Sequence, residues 1–375
     1  MAKLKSKSMP GLDAAEWSTL KDEELLKLKI CDLGLKIEGS ELESRIQSFH
    51  AELETRGFRF KPKVYLGDEW FSPEGMVAIA VPFYLAHPRL IALEKKLMFE
   101  VEGDDPEYFK KLIRHEAGHC FDHAYRFSPR KRWRELFGPP NQEYAPETYR
   151  PRPHSKSFVR HLDNWYAQAH PDEDFAETFA VWLTSSGFPV EDAAQLAQEG
   201  QDGALGRIIP LWKAEYAHWP VALSKLEYVD ELVKSVRNKE PGGEGGYLPF
   251  SASRMKTTLE HYYNKKRKER AEEYPDFYDP DLKRIFDGAP ELSKREHGAA
   301  VFMKRHRKII VESVSHWSGE RKYTVHKLID KVTTRCEKLE LKTGKSETQT
   351  SLEVAAYLAT LVTNYLFTGK FKRTV

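Results

Sequence analysis

His115 and His119 stand four residues apart, with Glu116 directly after the first of them. That spacing has chemical meaning on a helix, where positions i and i+4 share a face. The surrounding sequence supplies the helix. Asp104-Asp105-Pro106 opens it, with Asp105 as cap and Pro106 at the first helical position. Phe109, Leu112, Ile113, Ala117, Phe121 and Ala124 then recur as one apolar stripe. Two imidazoles on one turn can bind one metal ion. The carboxylate of Glu116 lies beside them, where it can take a proton from an attacking water. Two merely solvated histidines fit this capped, apolar setting less well.

A hydrolytic zinc site takes three protein ligands and keeps a position for water. The segment Asp172-Glu173-Asp174-Phe175-Ala176-Glu177 opens a second predicted helix after Pro171. Glu173 and Glu177 share a face, so one can bind the metal while the other buttresses a zinc histidine. Glu173 leads as third ligand, with Glu177 and His170 as alternatives. Asp174 points about 100° away from Glu173. Acids also suit a first helical turn for their own sake. Tyr166, His161 and His170 are candidate donors to an oxyanion, with Tyr166 favoured; ordinary packing of an aromatic helix face is the competing account of Tyr166. Cys120 points away from the metal face and reads as core.

These residues resemble the gluzincin metallopeptidases, in which HExxH is followed on a separate helix by Glu. Glu173-Asp174-Phe175-Ala176-Glu177 is similar to the corresponding segments of anthrax lethal factor and the Mlc titration factor peptidases. The stretch of about 60–190 resembles the bacterial family described as "putative zinc-binding metallopeptidase". The resemblance implies one Zn²⁺ held by His115, His119 and Glu173, with Glu177 behind the ligands and Tyr166 as transition-state donor. One departure is Asp174, which stands where lethal factor has Phe.

The remaining chain sets the organisation. Residues 14–56 read as a helix pair broken at Gly34 and Gly39. Alternation at Phe58, Phe60, Val64 and Leu66, then Met76–Val81, predicts strands. Helices are expected near 158–168, from Pro171 through Leu183 to a stop at Gly187 and Pro189, and at 190–199 and 207–237. The Gly-rich run Glu240–Gly246 reads as a linker. Beyond it, helices are expected at about 252–273, 291–317, 322–342 and 350–367, the last apolar on most sides. The fold class is therefore α+β: a helix-rich zincin-like domain with a small sheet, followed by an all-α domain. The expected boundaries are 1–57 for an N-terminal helical segment, 58–238 for the catalytic domain, 239–250 for the linker and 251–375 for the C-terminal domain.

Charge divides along the same line. Residues 251–375 hold 26 basic and 17 acidic residues, a net +9, while the preceding 250 carry −7. The overall +2 argues against a protein dedicated to nucleic acid. The run Lys265–Arg270 reads first as a solvated helix face, its field diluted by Glu269, Glu272 and Glu273; an acidic partner is the functional expectation for the basic part, and nucleic acid is a poorer one. Three scattered cysteines exclude a disulfide framework and a cysteine-based finger. Met1–Lys7 is basic without a following apolar region, and the longest apolar run, Met76–Ala86, is too short for a membrane helix. A cytoplasmic location follows as the expectation.

Two functions compete at this level. One is a zinc-dependent peptidase or amidase with Glu116 as general base. The other is a zinc-stabilised regulatory or partner-binding protein without turnover. For a peptidase, Gly75–Val81 either pairs with an extended peptide substrate or is a plain core strand. In the Pro-rich loop, Arg150, Arg152 and His154 either recognise a substrate carboxylate or form a solvated basic surface.

Overall fold

The computed structural model describes residues 14–98, 100–144, 152, 155–162, 165–185, 211–241, 248–269, 279–286 and 298–368. The chain divides into two compact units, Met1–Lys95 with Val101–Tyr263, and Lys96–Glu100 with Asn264–Val375. Helices dominate, and the described residues form one two-stranded parallel sheet, consistent with a helix-rich α+β chain.

In the first unit, the start of the expected helix pair is fragmented. Single-turn helices at Ala14–Trp17 and Asp22–Leu25 are followed by a 3-10 turn at Ile30–Leu33. The buried Trp17 indole donates to the Leu33 carbonyl at 3.0 Å, which folds this segment back on itself instead of extending it as a helix. The second helix, α1 (Glu41–Thr55), forms as expected and buries Leu42, Ile46, Phe49 and Leu53. Its Arg45 donates to the carbonyls of Gly103 and Asp104, both at 2.9 Å, and so fixes the entry to the metal-motif helix.

Strands β1 (Lys63–Gly67) and β2 (Ala78–Pro82) pair in parallel, with Tyr65 opposite Ala80. Every residue of β2 is buried. The edge of β2 away from β1 is also engaged: the Ala80 amide donates to the Phe71 carbonyl at 2.8 Å, and Ser72 Oγ donates to the Ala78 carbonyl at 3.1 Å. At Ala78 and Ala80, therefore, this is a core strand. The apolar segment after it forms helix α2 (Pro88–Met98).

Helix α3 (Pro106–Tyr125) carries the HExxH motif. Asp105 caps it by accepting from the Tyr108 amide at 2.8 Å, and Pro106 sits in the first turn. Arg126 at φ 51 ends it in the left-handed region. Helix α4 (Lys131–Phe137) follows, then α5 (Pro171–Ser185). From Glu173 to Leu183, α5 is buried all round, the expectation for a helix at the centre of a unit. Phe121 and Phe179 meet at 5.0 Å between ring centroids, and Phe137 and Phe175 at 5.4 Å. Each fully buried phenylalanine contributes about 1.5–3 kcal/mol, so the first pair ties α3 to α5 and the second ties α4 to α5. The spacing expected at 207–237 gives α6 (Leu211–Glu215) and α7 (Pro220–Val236). The expected helix at 190–199 lies outside the described residues, as does most of the Gly-rich run.

The helix expected near 158–168 does not form; only a 3-10 turn at Tyr166–Gln168 is present. The physical reason lies in the backbone amides. Arg160 donates to Tyr216 Oη at 3.2 Å, and His161 and Leu162 donate to Glu177 Oε2 at 3.3 and 2.9 Å. These long-range contacts tie residues 160–162 to other elements, and Trp165 at φ 52 lies outside the right-handed helical region.

After α8 (Leu259–Glu269), the second unit contains α9 (Asp279–Ile285), α10 (Ala299–Ser318), α11 (Lys322–Lys338) and α12 (Glu347–Thr368). Its core joins Met303, Ile310 and Val314 to Leu328 and Val332 and to Val354 and Leu358. Helix α12 is more one-sided than its sequence suggests, with Leu352 70% exposed while Leu358 is fully buried. No helix among the described residues is long and apolar enough to cross a membrane.

Candidate metal centre

Helices α3 and α5 cross at Gly118 and Ala176, and this crossing positions the site. A Cβ on Gly118 would lie 2.6 Å from Ala176 Cα and 3.0 Å from the Ala176 carbonyl oxygen. Only glycine lets the backbones approach this closely. Gly118→Ala therefore tests the crossing through its sign. In a free helix the change gains about 1 kcal/mol of propensity. Here neither neighbour is a flexible side chain, and overpacking of this kind costs about 1–3 kcal/mol. The variant is expected to be less stable in urea denaturation and to retain metal less well. A variant as stable as the parent, or more so, would contradict a contact crossing.

The close approach brings three donors together. Nε2 of His115 lies 3.0 Å from Oε2 of Glu173, Nε2 of His119 lies 3.2 Å from the same oxygen, and the two nitrogens are 3.2 Å apart. His115, His119 and Glu173 could hold a metal ion. The spacing fits zinc: donors about 2.0–2.1 Å from a tetrahedral ion lie roughly 3.3 Å from one another. His115 and Glu173 are 3% and 4% exposed, and His119 is half-buried beside them.

Glu177 completes the support. Its Oε1 lies 2.8 Å from His115 Nδ1, while Oε2 accepts the amides of His161 and Leu162. In the neutral imidazole a metal would bind, a Nδ1 proton directed at Glu177 would leave the Nε2 lone pair facing the site. Burial opposes ionisation of Glu177, but His115 and these hydrogen bonds outweigh it and hold its carboxyl below the usual range. Burial likewise opposes ionisation of Glu173, yet His119 and His115 hold it well below. Burial disfavours charge on His115, but Glu173 and Glu177 raise its pKa well above the ordinary value. The cluster is thus built to hold positive charge, which a divalent cation supplies.

Glu116 is buried, and its Oε2 has no hydrogen-bond partner among the described residues. Burial raises its pKa, against the lowering effect of His115 and His119. An orphaned buried carboxylate oxygen beside two histidines suits a group that exchanges protons with a bound reactant.

Tyr166 reaches the same site from the 3-10 turn, its ring centroid 5.7 Å from that of His115. Trp165 before it sits at φ 52, a left-handed conformation that a bulky residue rarely adopts. Sequence reasoning missed Tyr144. This residue lies in an irregular loop, where no periodicity marks it, and its hydroxyl donates to Glu173 Oε1 at 2.7 Å. The Tyr144 and Tyr166 hydroxyls are 3.1 Å apart. Burial and the nearby Glu173 charge raise both phenols above their ordinary pKa, so both keep their protons.

The other candidates are engaged elsewhere. His161 Nε2 lies 2.9 Å from the Lys111 carbonyl. His170 has Nε2 3.0 Å from the Gln142 carbonyl, and Nδ1 accepts the Asp172 amide at 3.1 Å. Burial pushes the Cys120 thiol up to about 12, in keeping with a core residue. Arg152 pairs its backbone with the Gln168 side chain, while Arg150 and His154 lie outside the described residues. Asp174 turns away from the site and meets Lys225 of α7 at 2.6 Å, both buried.

Two helices that bring His, His and Glu to one point, with an unpaired Glu beside them, define a candidate metal centre of the HExxH kind. Residues 109–201 match the family model described as "Putative zinc-binding metallo-peptidase". The matched segment contains all three donors, Glu116, Tyr166 and Glu177. The resemblance to that family is thereby borne out over this stretch, whereas the likeness to lethal factor and the Mlc titration factor peptidases stays one of short motifs. No curated protein and no solved structure matches the chain.

Proposed function

We propose that this chain is a zinc-dependent hydrolase of peptide or other amide bonds. The observation that carries the reading is the convergence of His115 Nε2, His119 Nε2 and Glu173 Oε2 beside the unpartnered Glu116 Oε2. One zinc ion held there would activate a water as nucleophile and polarise the scissile carbonyl. Glu116 takes a proton on Oε2 and returns it to the leaving amine. Glu177 keeps His115 in one tautomer and orientation. Tyr166 donates its hydroxyl to the developing oxyanion, an effect worth about 2.7–4 kcal/mol for a well-placed donor. A regulatory, purely structural zinc site would usually be closed by four protein ligands; the described residues bring three.

The substrate class is peptide or protein. Because the Ala80 amide is held by the Phe71 carbonyl and the Ala78 carbonyl by the Ser72 hydroxyl, strand pairing with substrate along Gly75–Val81 is assigned to its Gly75–Val77 end. The basic second unit serves an acidic partner, and nucleic acid is a poorer fit. Three free cysteines and a metal site without thiolates suit a reducing cytoplasm.

The direct test uses a proteome-derived peptide library and the zinc-loaded full chain. New termini read by mass spectrometry are expected, lost with a chelator and restored by added zinc. Cleavage that persists at full rate after metal removal, or no cleavage by zinc-loaded protein, would sink the reading.

A further inference from the structure

Glu173 presents two oxygens to two different neighbours. Oε2 faces both imidazoles, at 3.0 Å from His115 and 3.2 Å from His119. Oε1 accepts the Tyr144 hydroxyl at 2.7 Å, a short charge-assisted contact. A phenol has one proton. Since Tyr144 gives its proton to Glu173, the 3.1 Å contact with Tyr166 uses Tyr144 Oη as acceptor and Tyr166 as donor. At rest the chain of donation runs from Tyr166 to Tyr144 to Glu173, and a developing oxyanion would take the Tyr166 proton in place of Tyr144. Tyr144 is 53% exposed as a residue and its ring lies 5.3 Å from the His170 ring, so an outer loop holds an inner ligand.

We propose that Tyr144 is a positioning residue of the metal centre, its hydroxyl holding Glu173 to single-oxygen metal binding and fixing the Tyr166 hydroxyl beside the site. This rests on the metal-centre reading above. The consequence is geometric. With Oε1 turned to the Tyr144 hydroxyl, Oε2 is the Glu173 oxygen directed at both histidines and would be the one offered to an ion. Without the Tyr144 hydroxyl, Oε1 would be free to turn toward the ion and Tyr166 would lose this contact.

Tyr144→Phe isolates the hydroxyl, because the ring that faces His170 is kept. The full chain is loaded with Zn²⁺ for affinity, by competition with a chromophoric chelator, and with Co²⁺ for its visible absorption. The expected result is about 10–100-fold weaker zinc binding, the usual cost of losing a group that orients a ligand. The cobalt band should also change, because the carboxylate changes its binding mode. Thermal unfolding of the metal-free variant should match the parent. Unchanged affinity and an unchanged cobalt band would overturn the assignment. Weaker binding with an unchanged band would overturn it too, since that marks general loosening and not a repositioned carboxylate. A parent protein that takes up neither metal would instead overturn the metal-centre reading on which the assignment rests.

Discussion

Glu116→Gln is expected to abolish hydrolysis and leave the metal in place. The substitution preserves shape but removes the ability to accept a proton. Positioned general bases contribute about 10²–10⁴-fold, so kcat/KM on a cleaved peptide should fall by about that factor. The structure explains why little else should change. Glu116 Oε2 makes no hydrogen bond among the described residues, so no structural partner is lost there. The metal donors belong to His115, His119 and Glu173, and Glu177 orients His115 independently of Glu116. Zinc stoichiometry and the unfolding midpoint should therefore stay close to the parent. Activity within tenfold of the parent would remove Glu116 from the proton-transfer role.

The same residues show which parts of the site can be read from sequence. His115, Glu116, His119, Glu173 and Glu177 are legible because helical periodicity turns spacing into a shared face. The capping residues Asp105 and Pro106 make the first ligand helix legible as well. Tyr144 is not legible in this way. It acts from a loop, and its distance to Glu173 depends on how that loop lies over α5. The irregular path at 158–162 is hidden for a related reason, since its amides bind Glu177 and Tyr216 from other elements. The fragmented N-terminus depends on the long-range Trp17 to Leu33 contact. Lys225 is an intermediate case. It falls in the apolar stripe of α7 with Ala222, Leu226, Val229 and Val233, and a charge on a buried stripe signals a buried partner. Its partner is Asp174, the residue that departs from the lethal factor pattern. The departure and the misplaced lysine explain each other, but pairing them requires the fold.

Lys225→Met should consequently be among the most destabilising single changes in the first unit. Lys225 Nζ lies 2.6 Å from Asp174 Oδ2, donates to the Ser157 carbonyl at 2.8 Å and sits 4.3 Å from the Phe158 ring centroid. Burial pushes the Asp174 carboxyl up to about 7 even with this ammonium beside it, so desolvation outweighs the attraction. Removing the lysine leaves a buried acid without its counter-charge and a carbonyl without its donor. Breaking a buried pair from one side costs about 3–5 kcal/mol. Replacing both partners by apolar groups is commonly near neutral, so Asp174→Leu combined with Lys225→Met should recover most of the loss. Because Asp174 follows Glu173 on α5, the single variant should also bind zinc more weakly. Urea denaturation of the two single variants and the double variant measures the cycle. A Lys225→Met protein within 1 kcal/mol of the parent, by the scale expected for exposed pairs, would show that the pair does not anchor α5. A double variant as unstable as the single would assign the loss to packing and the Ser157 carbonyl, and not to the stranded acid.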